Sequence, residues 1–182
     1  MFSTKKTIVA ALTIVGSCFA TASFANGWKM MDEVAYNYPA KNNPTTKKWA
    51  DTLWAKELPK IGKDGTFILI GSVKDNSKNY IITMMDSHVM GCEDAPNGNG
   101  TSAEIPMYSK CPIRVFTIDN QTSKQSVKQL PNFCYLNLNE SPKDLKENHT
   151  EYMFDPKSKK IYLKTIMYGK HAKECDNVID VK

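Results

Sequence analysis

The sequence predicts an α+β fold, in which N-terminal helices are followed by an antiparallel sheet of about six strands, stapled by two disulfides. Two observations in the amino-acid pattern support it. Apolar residues recur at helical spacing in the first third of the chain, and after Gly62 they alternate with polar residues at a period of two. A run of helices followed by a run of strands is typical of α+β domains. Four cysteines in the strand-rich part would form the two disulfides.

Two helices are predicted near the start of the domain. Within residues 27–38 the spacing of the apolar positions indicates a short helix or helical turn; these positions are Met30, Met31, Val34, Ala35 and Tyr38. A firmer helix is expected from Thr46, which is a suitable N-cap, up to Pro59, which cannot continue a helix.

The remainder of the chain predicts strands that are joined by polar turns. The predicted strands are residues 66–73, 80–90, 113–119, 126–130, 133–138, 150–154 and 160–168, with a short edge strand at 178–181. In the last hairpin Ile161 and Leu163 alternate with Tyr162 and Lys164. This alternation indicates a sheet with one buried and one partly wet face.

Residues 1–25 are typical of an export signal. Lys5 and Lys6 precede an apolar stretch at residues 7–16, and small residues lead to a cleavage position after Ala25. The stretch is too short to span a bilayer as a helix. Residues 26–182 are then a single exported domain, and a periplasmic or secreted bacterial protein is expected. Residues 15–18 resemble a lipobox, so an outer-membrane lipoprotein that is lipidated at Cys18 is the alternative.

Composition excludes several classes of protein. Hydrophobic residues make up 41% and charged residues 24% of the 182, which is the balance of a globular protein. No apolar stretch is long enough for a transmembrane helix. The formal charge of +5 comes mainly from lysines, Arg114 being the single arginine. The lysines form pairs and not a basic face with interleaved aromatics, so nucleic acid is not an expected partner.

The cysteine count predicts two disulfides. Once Cys18 leaves with the signal or is lipidated, an even number of cysteines remains in an exported chain. Of the three possible pairings we favour Cys92–Cys111, which closes a loop rich in glycine, proline and asparagine, with Cys134–Cys175 as the other pair.

Residues 84–92 hold the densest set of reactive side chains in the chain. Soft and borderline ligands such as Met84, His88 and Cys92 suit copper or zinc. In an oxidising compartment the cysteines are consumed by disulfides, however, so neither a metal nor another cofactor is expected, and copper or zinc handling is the third functional alternative. A small ribonuclease-like hydrolase is the alternative to a binding function, with His88 and Asp86 as its pair. His149 with Glu151 is a second pair of the same kind.

The segment 93–110 is too long for an ordinary hairpin connection. Loops of this length are often functional, and a disulfide at the base reduces the entropy that binding must overcome. Residues expected to contact a partner are Asn97 and Asn99 in the middle of the loop and Ile105, Met107 and Tyr108 on its return limb.

The leading functional prediction is therefore a non-catalytic periplasmic or surface-exposed protein that binds another macromolecule, most simply a protein. The small size and the exported compartment resemble those of bacterial inhibitors, immunity proteins and adhesins. An inhibitor or an immunity protein is one form that such a function takes. Fold alone does not decide among these functions.

Overall fold

A computed structural model of the protein describes residues 27–36, 42–61, 66–87, 91–94, 108–136 and 146–182. Within these ranges the chain forms two short helices and ten strands. The helices are α1 (Pro44–Leu53) and α2 (Leu58–Ile61). The strands are β1 (Lys29–Met30), β2 (Asp32–Ala35), β3 (Phe67–Asp75), β4 (Lys78–Met85), β5 (Glu93–Asp94), β6 (Tyr108–Asp119), β7 (Gln125–Leu136), β8 (His149–Asp155), β9 (Lys160–Met167) and β10 (Lys170–Asp180). Neither of these helices is long and apolar enough to cross a membrane.

The strands form two antiparallel sheets, so the predicted α+β fold with a single six-stranded sheet after N-terminal helices is wrong. The six-stranded sheet has the order β2-β3-β4-β6, with β7 on the far side of β6 and the short β5 also paired to β6. The four-stranded sheet has the order β1-β8-β9-β10. The protein is mostly β, and the two helices are minor elements beside the sheets.

The first predicted helix, within residues 27–38, is not formed. Residues 29–35 are two strands: β1 pairs with β8 of one sheet, and β2 pairs with β3 of the other. The chain changes sheets at Met31, whose backbone N–H donates to the Thr150 carbonyl at 2.8 Å. A change of sheet interrupts the alternation of buried and exposed side chains, and the interrupted pattern imitates helical spacing.

Three boundaries also differ from the sequence-based expectation. Asn43 and not Thr46 caps α1, and its side chain accepts from the N–H groups of Thr45 and Thr46. Pro59 lies inside α2 and does not end a helix. Proline is tolerated there because an N–H group in the first turn of a helix has no intrahelical acceptor. The two strands expected around Pro131 are one strand, β7, in which Pro131 occupies a register shift opposite Pro112 and Ile113.

Two apolar cores lie on the two faces of the six-stranded sheet. Its inner face packs against the four-stranded sheet, and this core contains Leu69, Val73, Ile82, Ile113, Tyr152, Ile161 and Leu163. Its outer face packs against the helices, and that core contains Ile68, Ile70, Ile81, Ala50, Trp54 and Leu58. The layers are therefore helices, six-stranded sheet and four-stranded sheet, and only the six-stranded sheet is covered on both faces by described elements.

A close approach between β3 and β8 sets the spacing of the two sheets. The ring of Tyr152 lies directly over Gly71, where a Cβ atom would come within 2.9 Å of two ring carbons. The Tyr152 hydroxyl donates to the Ser72 carbonyl at 3.1 Å and accepts from the Ser72 N–H at 3.2 Å. A glycine is required at position 71 because any side chain would displace this ring.

Candidate functional site

Both predicted disulfides are confirmed. Cys92 pairs with Cys111, and Cys134 pairs with Cys175. All four cysteines are buried. The first bridge closes the base of the 93–110 segment, where β5 also pairs with the start of β6. The second joins β7 of the six-stranded sheet to β10 of the four-stranded sheet, so it ties the two layers together.

The residues predicted to contact a partner are placed only in part. Asn97, Asn99, Ile105 and Met107 lie outside the described residues. Tyr108 is the first residue of β6, is half-buried and packs against the cluster of Cys134, Cys175 and Ala172. This packing gives Tyr108 a structural role, whatever the loop before it contacts.

The described residues of the stretch 84–92 serve mainly as core residues or as part of a disulfide. Met84 and Met85 are fully buried and fill the two different cores of the protein. The Asp86 carboxylate lies 3.8 Å from Cys111 Sγ, while His88 is outside the described residues. Asp86, Cys92 and Cys111 are the only three potential ligands that converge within 4.8 Å in the described part of the chain. Since both sulfurs are consumed by the disulfide, they present no thiolate to a metal ion.

The outer face of the four-stranded sheet carries a set of apolar side chains that belong to none of the described cores. We call this surface the open face and define it by Trp28, Met30, Tyr162, Ile166 and Val178. Register places the last four on one side of the sheet: Met30 lies opposite Glu151, Tyr162 opposite Val178, and Ile166 opposite His149. Met30 is 44% exposed and Val178 is 51% exposed. Large apolar groups at this exposure are typical of a contact surface when they are contiguous.

A buried carboxylate lies in the middle of the open face. Glu151 on β8 is 5% exposed, and its Oε2 atom lies 2.7 Å from Lys164 Nζ on the neighbouring β9. Its Oε1 atom lies 3.1 Å from His149 Nε2. The Lys164 ammonium in turn lies 4.3 Å from the centre of the Trp28 ring, which is a cation–π contact. The ion pairs therefore fix the position of Trp28 on the open face.

The electrostatics of Glu151 do not suit general acid chemistry. Burial favours a raised pKa, but the hydrogen bonds and charges of Lys164 and His149 outweigh it, and the pKa of Glu151 lies below its ordinary value of 4.5. A carboxyl that donates a proton near neutral pH needs a raised pKa. The His149–Glu151 pair predicted from the sequence does form. It belongs to the same ion-pair network as Lys164, which contacts Trp28.

The lowered pKa of Glu151 predicts a pH dependence of stability. A carboxylate with a depressed folded-state pKa stabilises the protein above its unfolded pKa, and this contribution disappears as the pH falls through the folded value. Glu151→Gln should therefore cost about 2 kcal/mol of unfolding free energy at pH 7, and the cost should shrink as the pH falls below 4.5.

Urea unfolding of both proteins between pH 3 and 7 measures this difference. The pKa values of Asp119 and Asp155 are also lowered, both by local hydrogen bonds at turns. They contribute equally to the wild type and to the variant, so the difference isolates Glu151. A cost that stays constant over this pH range would contradict the prediction.

The two described histidines lie in one row across the open face. His149 on β8 and His171 on β10 both stand opposite Ile166 on β9. His171 Nε2 has its own carboxylate partner, Asp176 Oδ1, at 2.6 Å. Each imidazole is thus engaged by a separate acid, and the two do not join a converging set of ligands in the described residues.

The charges on the open face largely compensate one another. Glu151 is paired with Lys164. Lys160 stands directly between Asp155 on β8 and Asp180 on β10 in the strand register. The surface therefore offers apolar and aromatic contacts without a strong field of either sign.

Comparison of the chain with protein-family models, with curated proteins and with solved structures finds no match.

Proposed function

We propose that this is an exported, non-catalytic protein that binds another protein through the open face. The observation that carries the proposal is the difference between the two sheets. Helices cover the β2, β3 and β4 part of the outer face of the six-stranded sheet and leave only Val127 on β7 as a large exposed apolar residue among those described there. By contrast, no described element covers the outer face of the four-stranded sheet, where Met30 and Val178 are about half exposed beside Trp28 and Tyr162. Burying such aromatic and aliphatic anchors is a main source of affinity at protein interfaces.

The charge pattern supports a protein as the partner. Binding to nucleic acid or to an anionic membrane depends on lysines and arginines whose charges are available to phosphates. On the open face Lys164 already pairs with Glu151, and Lys160 lies between two aspartates. A neutral surface with aromatic side chains matches the buried centre of a protein–protein interface.

The two disulfides are compatible with an extracellular or periplasmic location. The proposed route is cleavage of the predicted signal after Ala25, with lipidation at Cys18 as the alternative attachment. An inhibitor or an immunity protein fits this setting, since both act by occupying a partner's surface. The segment 93–110 is proposed as a second contact region in addition to the open face.

The test places a photoreactive p-benzoylphenylalanine at position 178 or at position 127, in the native host. Val127 is a matched control because it is also an exposed strand valine, 56% exposed, but it lies on the helix side of the six-stranded sheet opposite Phe116. We expect one discrete adduct from position 178 and none of that mass from position 127.

A second variant connects the adduct to the open face. Met30→Lys should abolish the adduct from position 178 and change the unfolding free energy by less than about 0.5 kcal/mol, since it lies at an exposed position on an edge strand. Identical adducts from positions 178 and 127, or an adduct that survives Met30→Lys unchanged, would overturn the assignment of the open face.

A further inference from the structure

A pocket of about 360 Å³ opens at one end of the sandwich, between the end of β3, the start of β1 and the end of β8. Val73, Tyr152 and Phe154 contribute apolar wall, and Lys29, Lys74 and Asp75 are the charged lining residues, which we call the rim. We propose that this pocket binds a small organic carboxylate with an apolar body. The inference goes beyond the proposed function, since neither the anchors Met30 and Val178 nor the rest of the open face line the pocket.

The volume of the pocket suits a small ligand. Small-molecule sites in proteins generally occupy about 300–1,000 Å³. A cavity of about 150 Å³ accommodates benzene, so the volume here suits a molecule of about a dozen non-hydrogen atoms. The pocket is therefore large enough for an aromatic ring with a short acidic side chain and too small for a macromolecule.

The apolar part of the wall is packed against the core. Val73 and Tyr152 are buried members of the core between the sheets, and Phe154 packs against the same core. The Tyr152 hydroxyl is already engaged by both backbone groups of Ser72, so this residue offers its ring face and not a free donor. Phe154 is held in turn by the ring of Tyr80, with ring centres 5.8 Å apart.

The rim selects an anion. The single carboxylate that lines the pocket, Asp75, is paired with Lys159 at 2.7 Å. Lys29 and Lys74 are exposed, and neither makes an ion pair with another described residue. The unpaired positive charges of Lys29 and Lys74 therefore favour a carboxylate over the corresponding amine at this pocket.

The test uses the exported form of the protein with three probes of one shape: phenylpropanoate, phenylpropanol and phenylpropylammonium. Amide NMR titration at low ionic strength, which limits screening, follows the shifts of every backbone N–H. We expect saturable binding of phenylpropanoate with a Kd of about 1 mM. The shifts should centre on Lys29, Val73–Asn76 and Tyr152–Phe154. The ammonium probe should bind at least about tenfold more weakly.

A matched pair of double variants tests the rim. Lys29→Met with Lys74→Met should weaken binding of phenylpropanoate about fivefold and leave binding of phenylpropanol unchanged. Lys170→Met with Lys173→Met removes the same charge from exposed positions at the other end of the four-stranded sheet and should leave both affinities unchanged.

Three results would overturn the proposal: no saturation by phenylpropanoate, equal binding of the ammonium probe, or equal weakening by both double variants. Each is distinguishable from a failure of the open face, which is tested at Val178 and Met30.

Discussion

Replacing Cys134 and Cys175 together by alanine is expected to lower the free energy of unfolding by about 4 kcal/mol. The bridge closes a loop with a sequence separation of 41 residues, and a longer loop loses more entropy in the unfolded chain when it is crosslinked. It also joins β7 to β10 across the two sheets, where both cysteines are buried beside Ala172. Urea unfolding monitored by circular dichroism measures the change.

The other disulfide provides the matched control. Cys92–Cys111 closes a loop with a sequence separation of 19 residues and connects positions near one sheet, so Cys92→Ala with Cys111→Ala should cost about 3 kcal/mol. Only the Cys134–Cys175 variant should also loosen the contact between the sheets, which is visible as lost near-ultraviolet circular dichroism before the main unfolding transition. Equal or reversed costs would contradict the proposed role of the bridge between the sheets.

Trp54→Ala is expected to cost about 4 kcal/mol of unfolding free energy. The side chain is 1% exposed and lies in the core between the helices and the six-stranded sheet. Its Nε1–H donates to Thr83 Oγ1 at 3.0 Å, and the Arg114 guanidinium lies 4.2 Å from the ring centre. Arg114 also bonds Glu57 at 2.8 Å, so the truncation removes packing and leaves a polar network without its support.

Trp49 is the control for this second prediction. It lies on α1, of which Trp54 is the C-cap, and it packs against the same core, but it is only partly buried. Trp49→Ala should therefore cost about 2 kcal/mol, roughly half the effect at position 54. Both values come from urea unfolding, followed by far-ultraviolet circular dichroism because each variant removes a fluorophore. A larger loss at Trp49 than at Trp54 would show that the helices are not anchored as described.

The parts of the fold that could be predicted from the sequence are those determined by neighbouring residues. The hairpin of β3 and β4 and the hairpin of β8 and β9 follow from alternating side chains around polar turns. The disulfide pairs follow from cysteine number and position. The strands of each hairpin are neighbours in the sequence, and four cysteines allow only three pairings.

The division into two sheets could not be predicted because it depends on distant partners. β1 is two residues long and is strand only because β8 pairs with it. β10 extends from Lys170 to Asp180, although only its last residues alternate clearly enough to indicate a strand. Whether a strand joins its neighbour's sheet or another one is decided by tertiary packing, which short-range periodicity does not report.

The candidate site could likewise be predicted only in part from the sequence. The alternation in the last hairpin predicts that Tyr162 and Lys164 share the partly exposed face of the sheet, and the spacing of His149 and Glu151 predicts a pair, whose contact the structure contains. Trp28 and Met30 could not be assigned to that surface because their segment was interpreted as helical. The pocket could not be predicted from the sequence because its lining residues come from three separate parts of the chain.

The N-terminal segment has a consequence for the order in which the protein folds. β2 pairs with β3, its neighbour in sequence, but β1 needs β8, which lies more than a hundred positions later. Contacts between such distant segments form late because closing a long loop costs entropy before the contact returns any stabilisation. β1 is therefore expected to be among the last strands to pair, and the sandwich stays incomplete until His149–Asp155 has been synthesised. On the export route proposed above, this late pairing would leave β1 without its partner strand for most of the synthesis of the chain.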